Sequence, residues 1–77
     1  MITLDKIRVN DKVIIEHVGG ELSLKRRLLD LGFVPGEIIE CVLVSPFHDP
    51  KAYLIYSNVI ALRNMDARNI EVYYERD

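Results

Sequence analysis

The residue types most able to do chemistry in this 77-residue chain are the neighbouring pair His48 and Asp49. An imidazole and a carboxylate are common ligands of divalent metals. Adjacent residues of an extended segment point in opposite directions, however, and no third ligand follows at a recognisable spacing. We therefore expect no metal site, and we expect Asp49 to accept hydrogen bonds from backbone N–H groups of its own loop, between Pro46 and Pro50.

Cys41 is the single cysteine, and it could act as a nucleophile only beside an activating base. It lies within the apolar run from Ile38 to Val44, which indicates a buried and inert thiol. The sequence offers no catalytic triad, no paired carboxylates and no phosphate-binding glycine loop. We therefore expect no enzymatic activity and no cofactor. A lone cysteine is also typical of a reducing, cytoplasmic setting.

Lys25, Arg26 and Arg27 form the one basic run. On a helix they spread over about 200° of arc at about 100° per residue. This run is either a solvated helix face or a docking surface for an acidic patch on a partner, and the sequence leaves both open. The formal net charge of −2 gives no general attraction to phosphate backbones, so we expect no nucleic-acid partner.

A short helix must position this basic run. Leu24, Leu28 and Leu31 recur at the spacing of one apolar helix face, and Ser23 is a suitable N-cap. A helix is therefore predicted over residues 24–31. Its end and the turn that follows are predicted to depend on Gly32 and on the pair Pro35-Gly36, with positive φ at both glycines.

The rest of the pattern predicts β structure in a single domain covering residues 1–77. Apolar runs between turn signals predict five strands: Lys12–Val18, Glu37–Ser45, Ala52–Tyr56, Val59–Arg63 and Asn69–Tyr73. The connections are predicted to be a hairpin turn at Ser57-Asn58 and a helical turn at Asn64–Ala67, and the N-terminal residues Leu4, Ile7 and Val9 are predicted to cross the core. Together these elements predict a mainly-β fold, a small five-stranded SH3-like barrel with one inserted α-helix.

Neither a leader nor a membrane span is recognisable. Residues Met1 to Lys6 lack the basic segment and apolar core of a signal peptide. The longest uncharged stretch, from Cys41 to Phe47, is far shorter than the ~20 residues a transmembrane helix needs. We therefore expect no direct membrane insertion.

Three ordered segments resemble the FeoA family, and the resemblance extends from Leu4 to Val72. They are Arg27-Leu28-x-x-Leu31-Gly32-Phe33-x-Pro35-Gly36, Pro46-Phe47-x-Asp49-Pro50 and Ile60-Ala61-Leu62-Arg63-x-x-x-Ala67. His48 departs from the pattern, because glycine is common at that place in the family. The resemblance implies a small cytosolic SH3-like domain that accompanies FeoB, a membrane ferrous iron transporter with a GTP-binding domain. A similar barrel forms the C-terminal domain of iron-dependent repressors, so direct metal sensing is the alternative function. No winged helix precedes the barrel here, which favours a stand-alone domain.

The expected partner is therefore FeoB, on the cytosolic side of the membrane. The residues expected to contact it are Lys25, Arg26, Arg27, Phe33, Phe47, His48 and Leu54, with Phe33 and Phe47 lining one groove. The residues expected to shape turns are Gly32, Pro35, Gly36, Asp49 and Pro50. An exposed apolar strand face, formed by Leu43 or Val44 together with Leu54 and Tyr56, also predicts a homo-oligomer.

Overall fold

The computed structural model describes residues 1–75 as one antiparallel sheet with two helices. The elements in chain order are β1 (Ile2–Thr3), a 3₁₀ turn (Leu4–Lys6), β2 (Lys12–Val18), α1 (Leu22–Asp30), β3 (Ile38–Val44), β4 (Lys51–Ile55), β5 (Asn58–Leu62), α2 (Asn64–Ala67) and β6 (Ile70–Tyr74). The sheet order is β1-β6-β2-β3-β4-β5. Each predicted strand is present with bounds within one residue of the prediction, and the helical turn at α2 is confirmed.

The sheet has six strands, where five were predicted. The additional strand, β1, forms because the N-terminal segment pairs with β6, with Ile2 opposite Val72. Beyond β1 the chain crosses the core with Leu4 and Ile7 buried, as expected, but Val9 is exposed. The hydrogen-bonded sheet ends at β1 on one side and at β5 on the other, so it does not close into a complete barrel.

A β-bulge interrupts the regular alternation of side chains along β2. Strict alternation would place Val13, Ile15 and His17 on the same face. The pairing of β2 with β6 shifts register between Ile15 and His17, so that one residue of β2 has no partner in the ladder. As a result Val18 enters the core and His17 lies exposed.

Helix α1 begins and ends slightly earlier than predicted. Its N-cap is Glu21 and not Ser23, since the Glu21 carboxylate accepts a 3.0 Å hydrogen bond from the Ser23 backbone N–H. Only Leu28 is fully buried, and Leu24 and Leu29 are partly buried against the core. The prediction that Leu31 completes this apolar face is wrong. Leu31 is the C-cap, beyond the last helical residue, and 39% of its surface is exposed.

The hairpin between β4 and β5 turns at Tyr56-Ser57, one residue earlier than predicted. Ile55 pairs directly with Asn58, which makes Asn58 the first residue of β5. Tyr56 adopts a φ of +56°, an uncommon value for a residue with a large side chain. A hydrogen bond to Glu37 raises the pKa of the Tyr56 hydroxyl. The buried side chains of Tyr53 and Ile55 fix this register, and they outweigh the turn preference of Asn58.

Both glycines after α1 have positive φ, as predicted, and we expect them to differ in tolerance. Gly32 has φ +108°, and an added Cβ would lie 3.1 Å from the Tyr56 ring. Gly36 has φ +93°, and an added Cβ would meet no atom within 4 Å. Gly32→Ala should therefore lower the free energy of unfolding by about 1–3 kcal/mol, and Gly36→Ala by less. Urea titration measures both values, and an unchanged midpoint for Gly32→Ala would contradict the conformational requirement.

Candidate protein-interaction surfaces

Helix α2 joins helix α1 to the loop between β3 and β4. The guanidinium of Arg27 lies 2.9 Å from the carboxylate of Asp66. On the other side, the Asn64 backbone N–H donates to Asp49 Oδ1 at 2.9 Å, and Asn64 Nδ2 donates to the His48 carbonyl at 2.8 Å. Through α2 the fold therefore links the basic run to the loop, although Arg27 and His48 are far apart in the sequence.

This arrangement corrects the role expected for Asp49. Within the loop, the backbone itself supplies the hydrogen bonds: His48 N donates to the Ser45 carbonyl at 2.7 Å. The Asp49 carboxylate instead accepts from the first residue of α2, where Arg63 as N-cap makes no side-chain hydrogen bond. The first N–H groups of a helix lack partners within the helix, and a carboxylate satisfies one of them well. Asp49 is thus a cap supplied from another loop.

The loop backbone explains why glycine, the residue that the sequence resemblance leads us to expect, would suit position 48. His48 has φ +66°, in the left-handed region that favours glycine. The histidine accepts this conformation with its side chain exposed. His48 and Asp49 share a loop, but within residues 1–75 no three His, Cys, Asp or Glu side chains group closely enough to hold a metal ion.

The three basic residues of α1 differ in environment. Lys25 is partly buried, and Arg26 and Arg27 are exposed. The ion pair of Arg27 with Asp66 lies at the surface, where such a pair stabilises a fold by at most about 1 kcal/mol. Arg26 makes no ion pair with any residue between 1 and 75. Of the two arginines of α1, Arg26 is therefore the more available to an acidic partner.

Apolar side chains that the sequence did not single out lie beside these groups. A shallow depression on the outer side of α1 is lined by Glu21, Leu22, Ser23, Arg26, Arg27, Asp30 and Leu31. Leu22 is exposed there, and Met65 is exposed on α2. Leu22 was missed because the helix was expected to begin after it. We call a set of six exposed side chains on α1, α2 and the loop the helix–loop surface; they are Leu22, Arg26, Arg27, Phe47, His48 and Met65.

The expectation that Phe33 and Phe47 line one groove is wrong. Phe47 is 91% exposed, whereas Phe33 is 0% exposed and belongs to the core. The positive φ of Gly32 reverses the chain after α1, and Phe33 N then donates to the Leu28 carbonyl at 3.0 Å. This bond directs Phe33 inward, so it is a packing residue and not an exposed contact residue.

Leu54 belongs to a second surface, the outer sheet face, formed by β3, β4 and β5. Leu54 is paired with Val59, and Leu43 is paired with Ala52. Leu43 is exposed, whereas Val44 is partly buried against the core opposite Lys51. The predicted apolar patch therefore contains Leu43 and not Val44.

Three further reactive groups, Cys41, Lys51 and Tyr53, are buried. Cys41 is buried, and burial raises the pKa of its thiol. The Lys51 ammonium donates to the backbone carbonyls of Asp5 at 2.5 Å and Ile7 at 3.4 Å. The Tyr53 hydroxyl, whose pKa burial raises, lies 3.5 Å from the Leu4 carbonyl. Lys51 and Tyr53 thus hold the N-terminal segment in place. No helix within residues 1–75 is both long and apolar enough to span a bilayer.

The fold described above is that of a small SH3-like domain. The FeoA domain model matches residues 2–74, and the chain therefore belongs to the FeoA domain family. The family expected from the sequence motifs is confirmed.

A curated relative places such a domain within a much longer protein. The Fe(2+) transport protein A/Fe(2+) transporter FeoB fusion protein of Porphyromonas gingivalis is 36% identical over 69 residues. The match covers 90% of this chain and 8% of that protein. This chain therefore corresponds in length to a small part of the fusion protein.

Solved structures confirm the predicted SH3-like fold. A FeoA-like protein from Clostridium acetobutylicum superposes with a TM-score of 0.89 at 26% identity, covering 99% of this chain and 88% of that one. Zinc-complexed FeoA from Stenotrophomonas maltophilia, named a prokaryotic SH3 domain protein, gives a TM-score of 0.83 at 27% identity, covering 95% and 91%. A manganese-dependent transcriptional repressor matches at 16% identity with a TM-score of 0.79, over 88% of this chain and 38% of the repressor, and this likeness shows the fold alone.

Proposed function

We propose that this chain is a cytoplasmic accessory protein of ferrous iron uptake, which acts without catalysis by binding the cytosolic side of a FeoB-type membrane transporter. The observation that supports this most directly is the fusion relative, which joins a FeoA part and a FeoB part in one polypeptide. Covalent linkage holds two domains at a high effective concentration. Such a fusion is expected for two domains that work in contact with each other. Two separate chains would need a binding surface to form the same contact.

The helix–loop surface is the contact that we propose. Its most exposed apolar member, Phe47, is an aromatic side chain on a loop that a hydrogen bond between Asp49 and Asn64 joins to α2. Aromatic side chains and arginines are the residues that most often dominate binding energy at protein interfaces. Phe47 and Arg26 are accordingly the proposed anchors for a partner surface with an apolar hollow and acidic groups. Lys25, Arg27 and His48 lie beside them, and Leu54 belongs to the other surface.

Binding should be measured with the complete chain and the purified transporter from the same organism, with and without guanine nucleotide. We expect Phe47→Ala and Arg26→Glu each to weaken binding by about tenfold or more, since hot-spot truncations cost about 2 kcal/mol or above. Leu43→Ala is the matched control, because it removes an exposed apolar side chain from the outer sheet face.

The proposed partner and the proposed binding surface are contradicted by different results. A wild-type chain that fails to bind the transporter under either nucleotide condition would reject the proposed function. Wild-type binding that survives both Phe47→Ala and Arg26→Glu, but is lost in Leu43→Ala, would reject the helix–loop surface and leave the partner correct.

Direct metal sensing, as in a repressor domain, is the alternative function. The manganese-dependent repressor shares the fold but only 16% of its sequence with this chain, so the likeness does not support a shared function. We predict from the sequence that the chain has no specific metal site, no cofactor and no nucleic-acid partner.

A further inference from the structure

Strand β5 is an edge of the sheet. It pairs with β4 and with no other strand. Within residues 1–75, the backbone groups of residues 58–62 make no hydrogen bond outside that pairing. One side of β5 therefore presents backbone donors and acceptors that another strand could use.

The hairpin register identifies which residues present these groups. With a two-residue turn at Tyr56-Ser57, the pair that closes the hairpin, Ile55 and Asn58, is hydrogen-bonded. Alternate residues of β5 then direct their backbone groups to β4, beginning with Asn58. Val59 and Ala61 direct theirs to the open edge.

This edge lacks the usual protections against pairing. Natural edge strands are commonly protected by charged side chains, proline, a bulge or very short length. The sequence of β5 is Asn-Val-Ile-Ala-Leu, which contains no charge and no proline. Its pairing with β4 has no register shift. By contrast, the opposite edge strand, β1, is only two residues long.

We propose that β5 is a self-association strand, which pairs antiparallel with β5 of a second copy about a two-fold axis at Ile60. In this register Val59 of each copy lies opposite Ala61 of the other, so the outward backbone groups bond one another. Side chains Val59 and Ala61 extend the outer sheet faces of the two copies into one apolar surface. The symmetry is closed, because each copy uses the same strand once.

The charged residues near β5 are compatible with pairing to β5 of a second copy. Arg63 is the nearest charged residue, and in the proposed register it lies opposite Ser57 of the second copy. In this register no two like charges lie opposite each other. Like charges that lie directly opposite each other destabilise an antiparallel pair. A register centred on Ala61 would instead place Arg63 opposite the apolar Val59. Edge pairing also differs from stacking of two outer sheet faces, which is the association that Leu43 and Leu54 suggested.

Sedimentation equilibrium with matched lysine variants distinguishes the two modes. Val59 and Leu43 are 62% and 63% exposed, so lysine is expected to leave the fold intact at either position, and circular dichroism checks this. We expect the wild-type chain to form a dimer within a concentration range that extends to about 0.5 mM. Val59→Lys should raise the dissociation constant of this dimer at least about tenfold. Leu43→Lys should remain a dimer.

Cross-linking through Ile60→Cys tests the register. In a non-hydrogen-bonded antiparallel pair the two Cα atoms lie about 4.5 Å apart, within the range that a disulfide spans. Ile60→Cys should therefore form a disulfide-linked dimer on mild oxidation, and Leu43→Cys should not. Three results would overturn the proposal: a wild-type monomer throughout the concentration range, equal dissociation by both lysine variants, or a wild-type dimer without cross-linking at position 60.

Discussion

Replacing Phe33 with alanine should lower the free energy of unfolding by about 3–5 kcal/mol. Phe33 is fully buried and belongs to the hydrophobic core, directly after the turn at Gly32. The matched replacement Phe47→Ala should change the same quantity by less than about 0.5 kcal/mol, since Phe47 is almost entirely exposed. Two phenylalanines that the sequence placed together are thus expected to separate into a stability residue and a binding residue.

Urea unfolding followed by circular dichroism measures both values. If Phe33→Ala unfolds at the wild-type urea concentration, the buried placement of Phe33 is contradicted. If Phe47→Ala is strongly destabilised, Phe47 packs against the domain and cannot serve as a freely exposed anchor. Because Tyr53 lies in the same core, its near-ultraviolet signal supplies a second probe of the same transition.

The second large effect is expected at Leu28, where alanine should lower the free energy of unfolding by about 2–5 kcal/mol. Leu28 is the one fully buried residue of α1, and after its removal the apolar packing of the helix would rest on the partly buried Leu24 and Leu29. Domains of this length are only marginally stable, so a loss of this size approaches the whole stability. Much of the Leu28→Ala protein should therefore be unfolded at room temperature.

Leu22→Ala is the matched control for this prediction, because it removes an exposed leucine from the same helix. It should unfold close to the wild-type protein. Equal unfolding midpoints for Leu28→Ala and the wild type would show that α1 is held to the sheet by other contacts.

The order and bounds of the strands could be predicted because local chemistry determines them. Turn pairs such as Pro35-Gly36 stand at the ends of apolar runs, and each predicted strand agrees with the structure to within one residue. The positive φ values at Gly32 and Gly36 follow from the same local signals. These features depend on a few neighbouring residues and need no knowledge of the rest of the fold.

The errors arose where distant contacts outweigh local preference. Val18 replaces His17 in the core because a bulge forms against β6, more than 50 residues later. The turn at Tyr56-Ser57 is set by burial of Ile55, although Asn58 favours a turn locally. Phe33 looked like a loop residue because the sequence does not show which side chains the chain reversal after α1 directs inward.

The helix–loop surface could be predicted only in pieces. The basic run and the Phe47 loop were recognised separately, each from its own residue types. Their connection depends on Arg27 meeting Asp66 and on Asn64 meeting Asp49, pairs separated by 39 and 15 residues. Nothing in the spacing of either pair indicates contact, so the role of α2 as the link emerges only from the fold.

Uptake of ferrous iron by cells that contain the FeoB-type transporter is the measurement that tests the proposed accessory role most directly. Uptake should fall when this chain is removed, return with the wild-type chain, and remain low with Phe47→Ala expressed at the same level. Leu43→Ala should restore uptake, because its site lies outside the helix–loop surface. Unchanged uptake after removal of the chain would contradict the role proposed here.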